Sequence, residues 1–315
     1  MEKEFRNMPT LKGQFLFTLV HVLPFIALYT GATKFDWILC VSLYFVRMFF
    51  VTGVYHRYFA HRTYKTSRIF QAILAFGAET TVQKGVLWWA AHHRVHHKTS
   101  DTAADPHSMK IYGFWYSHLG WILGPDYKRT ETELIPDYAK FKEIKWLNEH
   151  HLVPPFIAMA GVMIAGGFVN QTAGLGFIDL GSLGMFSING AVSALLIGFL
   201  LSTVFLYHGT FSINSIMHYF GKARYKTGEE SKNNLILALI TMGEGWHNNH
   251  HYYMSSTRQG FFWWEIDPTY YILKLLSFVG LVWDIQEVPK HIKYSTDLEH
   301  AKKLKEQYAK EEKAA

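Results

Sequence analysis

The chain has 315 residues, of which 18% are charged and 49% apolar, with 10 Trp, 18 Tyr and a formal net charge of +6. An ordinary soluble protein carries about a quarter charged residues, so this balance excludes disorder and collagen-like repeats, and the single Cys40 excludes a disulfide scaffold. Eighteen histidines is the anomalous count.

In chain order, the first element is an uncharged apolar run at 13–32, about as long as a helix needs to cross ~30 Å of hydrocarbon. No small-residue cleavage site follows it, which argues against a removable signal peptide. A second run, 37–55, begins almost at once, so the connection at 33–36 forces a helical hairpin. Its one charge, Arg47, is costly in lipid and has to face other helices or snorkel. Cys40 in the same run reads as a small packed hydrophobe. Residues 67–78 have helical periodicity and suit a membrane-surface or cap helix. Pro154-Pro155 opens a third apolar run, 154–169, and 185–207 is a fourth. The last fifteen residues, rich in Lys, Glu and Ala, read as a solvated helix or a fraying tail.

The resulting fold class is all-α: a polytopic membrane protein with four transmembrane helices and a helical cytoplasmic cap at about 56–153 and 208–315. No linker or internal repeat divides it, so 1–315 is one domain. Lys and Arg set the orientation. Three lie in 1–13, thirteen in 57–150, thirteen in 219–315, and none in the connection 170–184. Both termini and the middle segment are therefore expected on the cytoplasmic side. The basic excess suits anionic membrane lipid, and no nucleic-acid motif accompanies it.

The histidines fall in patterns. His56 and His61 stand at the cytoplasmic end of the second run. Next come His93-Arg-Val-His96-His97, then Asn214 to His218, then His247-Asn-Asn-His250-His251. At this histidine frequency one HxxHH pattern is expected by chance only about 0.06 times. On a helix, positions i, i+3 and i+4 share a face, so each box is expected to converge on one point. His56 and His61, five apart, are expected to straddle a helix end, one near each of two ions. Four ligands saturate one tetrahedral zinc, whereas two ions with four or five ligands each use all nine imidazoles. A dinuclear, histidine-rich, redox-capable centre favours iron and dioxygen chemistry. His92, four before His96, is a ligand by spacing alone. Asp101, Asp105 and Glu244 beside the boxes are expected to support ligands rather than bind metal. His21, His150, His151, His208, His291 and His300 lack patterned neighbours and read as structural.

The segments GVYHRYFAHRTYK, WWAAHHRVHHKTSDTAADPH, GFWYSHLGWIL, INSIMHYFG and GEGWHNNHH, in this order, resemble the membrane-bound acyl desaturases of the stearoyl-CoA desaturase type over roughly 15–285. The resemblance implies a mushroom-shaped helical protein with two iron ions held by His56, His61, His93, His96, His97, His218, His247, His250 and His251. Asn214 would reach one iron through water, and His92 would be a non-ligand. It also implies that Gln83, Trp89 and Thr210 shape the kink of an acyl tunnel, which argues for a delta-9 cis double bond. The headgroup positions depart from the animal pattern: Lys84, Ala91 and His92 replace an Asn and an Arg-Asp pair that hold CoA. Gly124-Pro125-Asp126 replaces a basic pair, with Lys128 and Arg129 displaced. WWAAHHR looks like the bacterial and plant branch, so the carrier is open between CoA and membrane lipid. In a bacterium the location would be the inner membrane.

The activity implied is oxygen-dependent desaturation. The chain holds no flavin or dinucleotide fingerprint and no haem or iron–sulfur motif, so electrons come from an external ferredoxin or small cytochrome with its reductase. The rival enzyme is a hydroxylase or ketolase with the same metal site on an alkyl or carotenoid substrate. A metal transporter is the rival from another class, but its histidines would line a path through the bilayer.

Overall fold

The computed structural model describes residues 11–124, 129–170 and 177–314. Of the positions singled out above, Pro125, Asp126, Lys128 and the first ten residues lie outside these. Helices dominate: α1 (Leu11–Val22), α2 (Lys34–Ala60), α3 (Arg68–Glu79), α4 (Val86–Thr99), α5 (Lys142–Glu149), α6 (Val153–Val169), α7 (Ile188–His218), α8 (His247–Tyr252), α9 (Pro268–Phe278) and α10 (Leu298–Ala314). Between them lie short helical turns and four two-residue strands. The strands pair antiparallel, Lys65–Thr66 with Val282–Trp283 and Ser182–Leu183 with Phe186–Ser187.

Among the described residues, α2 and α7 are each long and apolar enough to cross a membrane. The pair α5 and α6, bent by 71°, makes a third if it counts as one span. The first apolar run forms one shorter apolar helix, Gln14–Thr30, whose winding changes within it. Pro24 lacks a donor and clashes with the preceding turn, and the chain tightens into a 3₁₀ turn at Leu23–Ile26 before Ala27–Thr30 resumes.

The α2 helix starts three residues before the apolar run because Thr33 and Asp36 form a reciprocal capping box. The fully buried Asp36 also accepts from Asn170 Nδ2 at 2.7 Å, while Thr33 Oγ1 donates to Asn170 Oδ1 at 2.9 Å. These bonds tie the start of α2 to the end of α6. At its far end α2 runs on to Ala60, and from Phe50 it is wound as a π-helix. The α7 helix likewise extends past the expected end, from the Ser187 cap through His218.

By internal packing the described residues form two units. One draws on 1–51, 72–89 and 119–208, the other on 52–71, 90–118 and 209–315. In the first, Ala27, Cys40, Val162 and residues of α7 including Ala194, Ile197 and Phe199 make the core. There α6 and α7 touch at small residues: a Cβ on Gly190 would lie 2.6 Å from Gly166 O, the close approach that small residues permit between apolar helices. Arg47 turns inward, as its cost in lipid requires. It donates to Thr203 Oγ1 at 2.7 Å, to the Phe199 carbonyl at 3.2 Å and to Ser202 Oγ, with its guanidinium over the Phe199 ring. The second unit packs Tyr225, Tyr252, Phe261, Ile292 and Ala301 together and carries every histidine of the boxes.

Candidate metal centre

All nine patterned imidazoles come together inside the second unit, in two groups. Ring nitrogens of His56, His61, His93, His97 and His250 lie within 4.8 Å of one another, and so do those of His96, His218, His247 and His251. This corrects two expectations. Each HxxHH box divides between the groups instead of converging on one point, and the division follows helix rotation. Positions i and i+4 differ by about 40°, whereas i+3 sits about 100° from i+4. The pairs His93 with His97 and His247 with His251 stay together, and His96 and His250 cross to the opposite group.

The second correction concerns His56 and His61, which share a group. The Phe50–Ala60 segment is π-helical, and His61 N donates to the His56 carbonyl at 3.1 Å, an i to i+5 bond. In this winding, residues five apart stack on one face. Spacing that is poor for an α-helix is correct for a π-helix.

The donor set fits cations. In the five-histidine group the Nε2 atoms of His56 and His250, His61 and His93, His93 and His97, and His97 and His250 are 2.9–3.0 Å apart. Two nitrogens on one ion at about 2.1 Å and a right angle lie about 3.0 Å apart, so this spacing suits a five- or six-coordinate ion better than a tetrahedral one. In the four-histidine group His218 Nε2 and His247 Nε2 are 3.1 Å apart. His251 Nε2 is buried with no hydrogen-bond partner, an orphan that a cation would satisfy. Burial, reinforced by neighbouring imidazoles, holds His61, His93, His97, His247, His250 and His251 well below the usual histidine range. They are neutral, the form that binds transition metals.

Carboxylates stand behind the rings. Glu244 Oε2 lies 2.6 Å from His56 Nδ1, and Asp105 Oδ1 lies 2.9 Å from His96 Nδ1. Each fixes the tautomer that turns Nε2 toward its group. Burial works against the charge of both, yet His96 and His107 hold Asp105 below the usual carboxylate range, and His56 and Arg57 do the same for Glu244. Asp101 Oδ2 lies 3.9 Å from His218 Nδ1.

The family model described as fatty acid desaturase matches residues 35–277 of the chain. The chain belongs to this family. The desaturase is 32% identical over 277 residues to the acyl-CoA 5-desaturase AL21 of Anemone leveillei, covering 87% of this chain and 78% of that one. Against the sn-1 stearoyl-lipid 9-desaturase of Synechocystis it is 31% identical over 284 residues, covering 88% and 80%. With acyl-CoA desaturase 1 of Saccharomyces cerevisiae it shares 31% over 271 residues, covering 82% of this chain and 48% of that one. Membership makes it an oxidoreductase acting on acyl chains, and its long apolar helices have the make-up of a membrane protein.

Other expected positions of the desaturase sort plainly. His92 is buried but belongs to neither group. Trp89 Nε1 donates to Gln83 Oε1 at 3.3 Å, which brings those two together, and Thr210 is buried on α7. The Asn214 carbonyl accepts from Ser117 Oγ at 2.7 Å. His21 and His208 meet at Nε2, 3.2 Å apart. Three further residues stand beside the rings. Gln259 Nε2 reaches Glu244 Oε2 at 2.9 Å and His56 Nδ1 at 3.2 Å. Glu229 lies 3.7 Å from His251 Nδ1 and 3.8 Å from His218 Nδ1. His107 packs on His96, ring centroids 4.3 Å apart. Only the last had a local signal, as the end of the second quoted box.

Proposed function

We propose that this desaturase inserts a cis double bond at delta-9 into a saturated acyl chain carried on CoA or on a membrane lipid. It would do so with two iron ions, dioxygen and two electrons from a ferredoxin or small cytochrome. The observation that carries this reading is the pair of five- and four-imidazole groups within a chain of the desaturase family. The nine histidines would be the ligands, Asn214 a water-bridged tenth, and Gln83, Trp89 and Thr210 the shapers of the acyl site. Among the relatives, one is named as a 9-desaturase of stearoyl lipid and another as a 5-desaturase of acyl-CoA. The delta-9 choice leans on the Gln83, Trp89 and Thr210 match. The whole chain is read as one domain with four crossings and both termini cytoplasmic, supported by the Lys/Arg asymmetry.

The overall reaction takes two hydrogens from adjacent methylenes and, with dioxygen, two protons and two electrons, releases the alkene and two waters. When bound, the two ions supply the redox chemistry that an unactivated methylene requires. The protein's own groups do the rest. Neutral imidazoles hold their nitrogens at ligand spacing, and Glu244 and Asp105 lock His56 and His96 in one tautomer. Burial of His56, His96, His218, His247 and His250 limits the access of bulk water.

The test is fatty-acid profiling by carrier in a host lacking its own desaturase, wild type beside His250→Ala, with dioxygen and a donor supplied. A cis mono-unsaturated product from wild type alone is expected, with the bond at carbon 9. A hydroxylated product would move the chain to the hydroxylase reading, and a bond elsewhere would overturn delta-9.

A further inference from the structure

The two imidazole groups differ in the charge that surrounds them. Among the described residues, one carboxylate is in contact with a ring of the five-histidine group, Glu244 on His56. Behind the four-histidine group stand three: Asp105 on His96, and Asp101 and Glu229 about His218 and His251. These three are held as acceptors. Asp105 Oδ2 receives Asp101 N–H at 3.0 Å and Asp105 Oδ1 receives His107 N–H at 3.1 Å. Asp101 Oδ2 receives Glu230 N–H at 2.8 Å, and Asp101 Oδ1 receives Ser108 Oγ–H at 3.3 Å. Glu229 Oε2 receives Ser231 N–H at 2.7 Å, and the Ser231 hydroxyl donates to Oε1. Backbone and hydroxyl donors thus hold three carboxylates at a fixed distance. His218, 4% exposed, has an Nδ1 with no hydrogen-bond partner, although two carboxylates lie within 3.9 Å of it.

Resting on the two-ion reading above, we propose that Asp101, Asp105 and Glu229 make the four-histidine position the tighter of the two, filled first by a divalent cation. A dication gains more from three nearby anions than from one, and in a water-poor interior that difference is weakly screened. A carboxylate behind a ligand ring also raises its basicity, and losing such a partner typically costs 10–100-fold in metal affinity. Glu229 is a positioning residue here. It lies 3.7 and 3.8 Å from two rings of the same group.

The test is titration of metal-free, full-length protein in detergent with cobalt(II), read by visible absorption. Wild type is expected to take two equivalents in two phases of different affinity, and His247→Ala, which removes a ring of the four-histidine group, should weaken the tighter, first phase. Glu229→Gln should weaken that phase by about tenfold or more and leave the second in place. Glu229→Asp, which keeps the charge, should recover part of the loss, an outcome that misfolding of the Gln variant would not give. Glu244→Gln should weaken the second phase alone. A His247→Ala variant that weakens the second phase instead, or a Glu229→Gln titration matching wild type, would overturn this inference and leave the two-ion reading standing. Fewer than two equivalents bound by wild type would overturn both.

Discussion

Replacing Arg57 with Met is the sharpest test of how the second unit is held. The guanidinium is 1% exposed and sits between two carboxylates, donating to both oxygens of Asp267 at 2.9 and 3.0 Å and to Glu244 Oε1 at 3.2 Å. Methionine fills similar volume but strands two buried anions. Removing one partner of a buried pair costs about 3–5 kcal/mol, because the remaining charge is uncompensated. Asp267 keeps its bonds from Gln259 N–H at 2.8 Å and Tyr270 N–H at 3.0 Å, so the lower end, about 3 kcal/mol, is expected. That is roughly a hundredfold in the unfolding constant. The control is Lys65→Met, which breaks an ion pair of 2.8 Å whose side chains are 68% and 44% exposed; exposed pairs contribute about 0–1 kcal/mol. Guanidinium unfolding in detergent, followed by circular dichroism and tryptophan fluorescence, measures both. Adding Glu244→Gln to the Arg57 variant removes one stranded charge and should return part of the loss. An Arg57→Met protein as stable as the Lys65 control would refute the view that this ion network holds the fold around His56.

Burial pushes the Glu79 carboxyl up to about 8 from 4.5, with only the Val86 N–H opposing. A raised folded-state value means the folded protein binds this proton more tightly. Stability should therefore fall as pH rises from about 4.5 to about 8, by at most about 1.4 kcal/mol per pH unit. Glu79→Gln should flatten that slope between pH 5.5 and 7.5, and an unchanged slope would exclude Glu79 as its source. Chelation with dipicolinate should lower the unfolding midpoint, corresponding to a loss of about 4 kcal/mol of stability per ion if free metal had stood a thousandfold above its Kd; a midpoint indifferent to chelation would argue against bound ions. Gly190→Ala should cost about 1–3 kcal/mol by overpacking, since its Cβ would meet backbone oxygens of Gly166 and Asn170 at 2.6 and 2.7 Å. Gly161→Ala, where nothing lies within 4 Å, is the comparison, and equal effects would place the close contact elsewhere.

The histidine pattern was legible because metal chemistry leaves a dense local signature: two HxxHH boxes with three further histidines can be read without coordinates. Their partition was not. Which ring of HxxHH departs depends on where the opposite box lies, and that is a tertiary fact. The pairing of His56 with His61 was hidden for a different reason, since five residues are poorly matched to the α-helical pitch and the segment is wound otherwise. Asp105 and Glu244 lay beside the boxes and were found by adjacency. Gln259 and Glu229 reach the rings from loops, with nothing in their neighbourhood to mark them. In the apolar segments, existence followed from hydropathy, but ends were set by the Thr33 and Asp36 cap and the Ser187 cap.

The π-wound stretch from Phe50 to Ala60 has a consequence for how this protein can change. Along it, hydrogen bonds to the fifth residue set the phase between His56 and His61, so the stretch behaves as a ruler rather than as a surface. Side chains that face away can be exchanged while the phase is kept. Adding or removing one residue would rewind the turn to the ordinary pitch and swing one imidazole away from its four companions. Length, more than composition, is the invariant of that segment, and chimeras built by joining chains within it would succeed only where residue count is preserved.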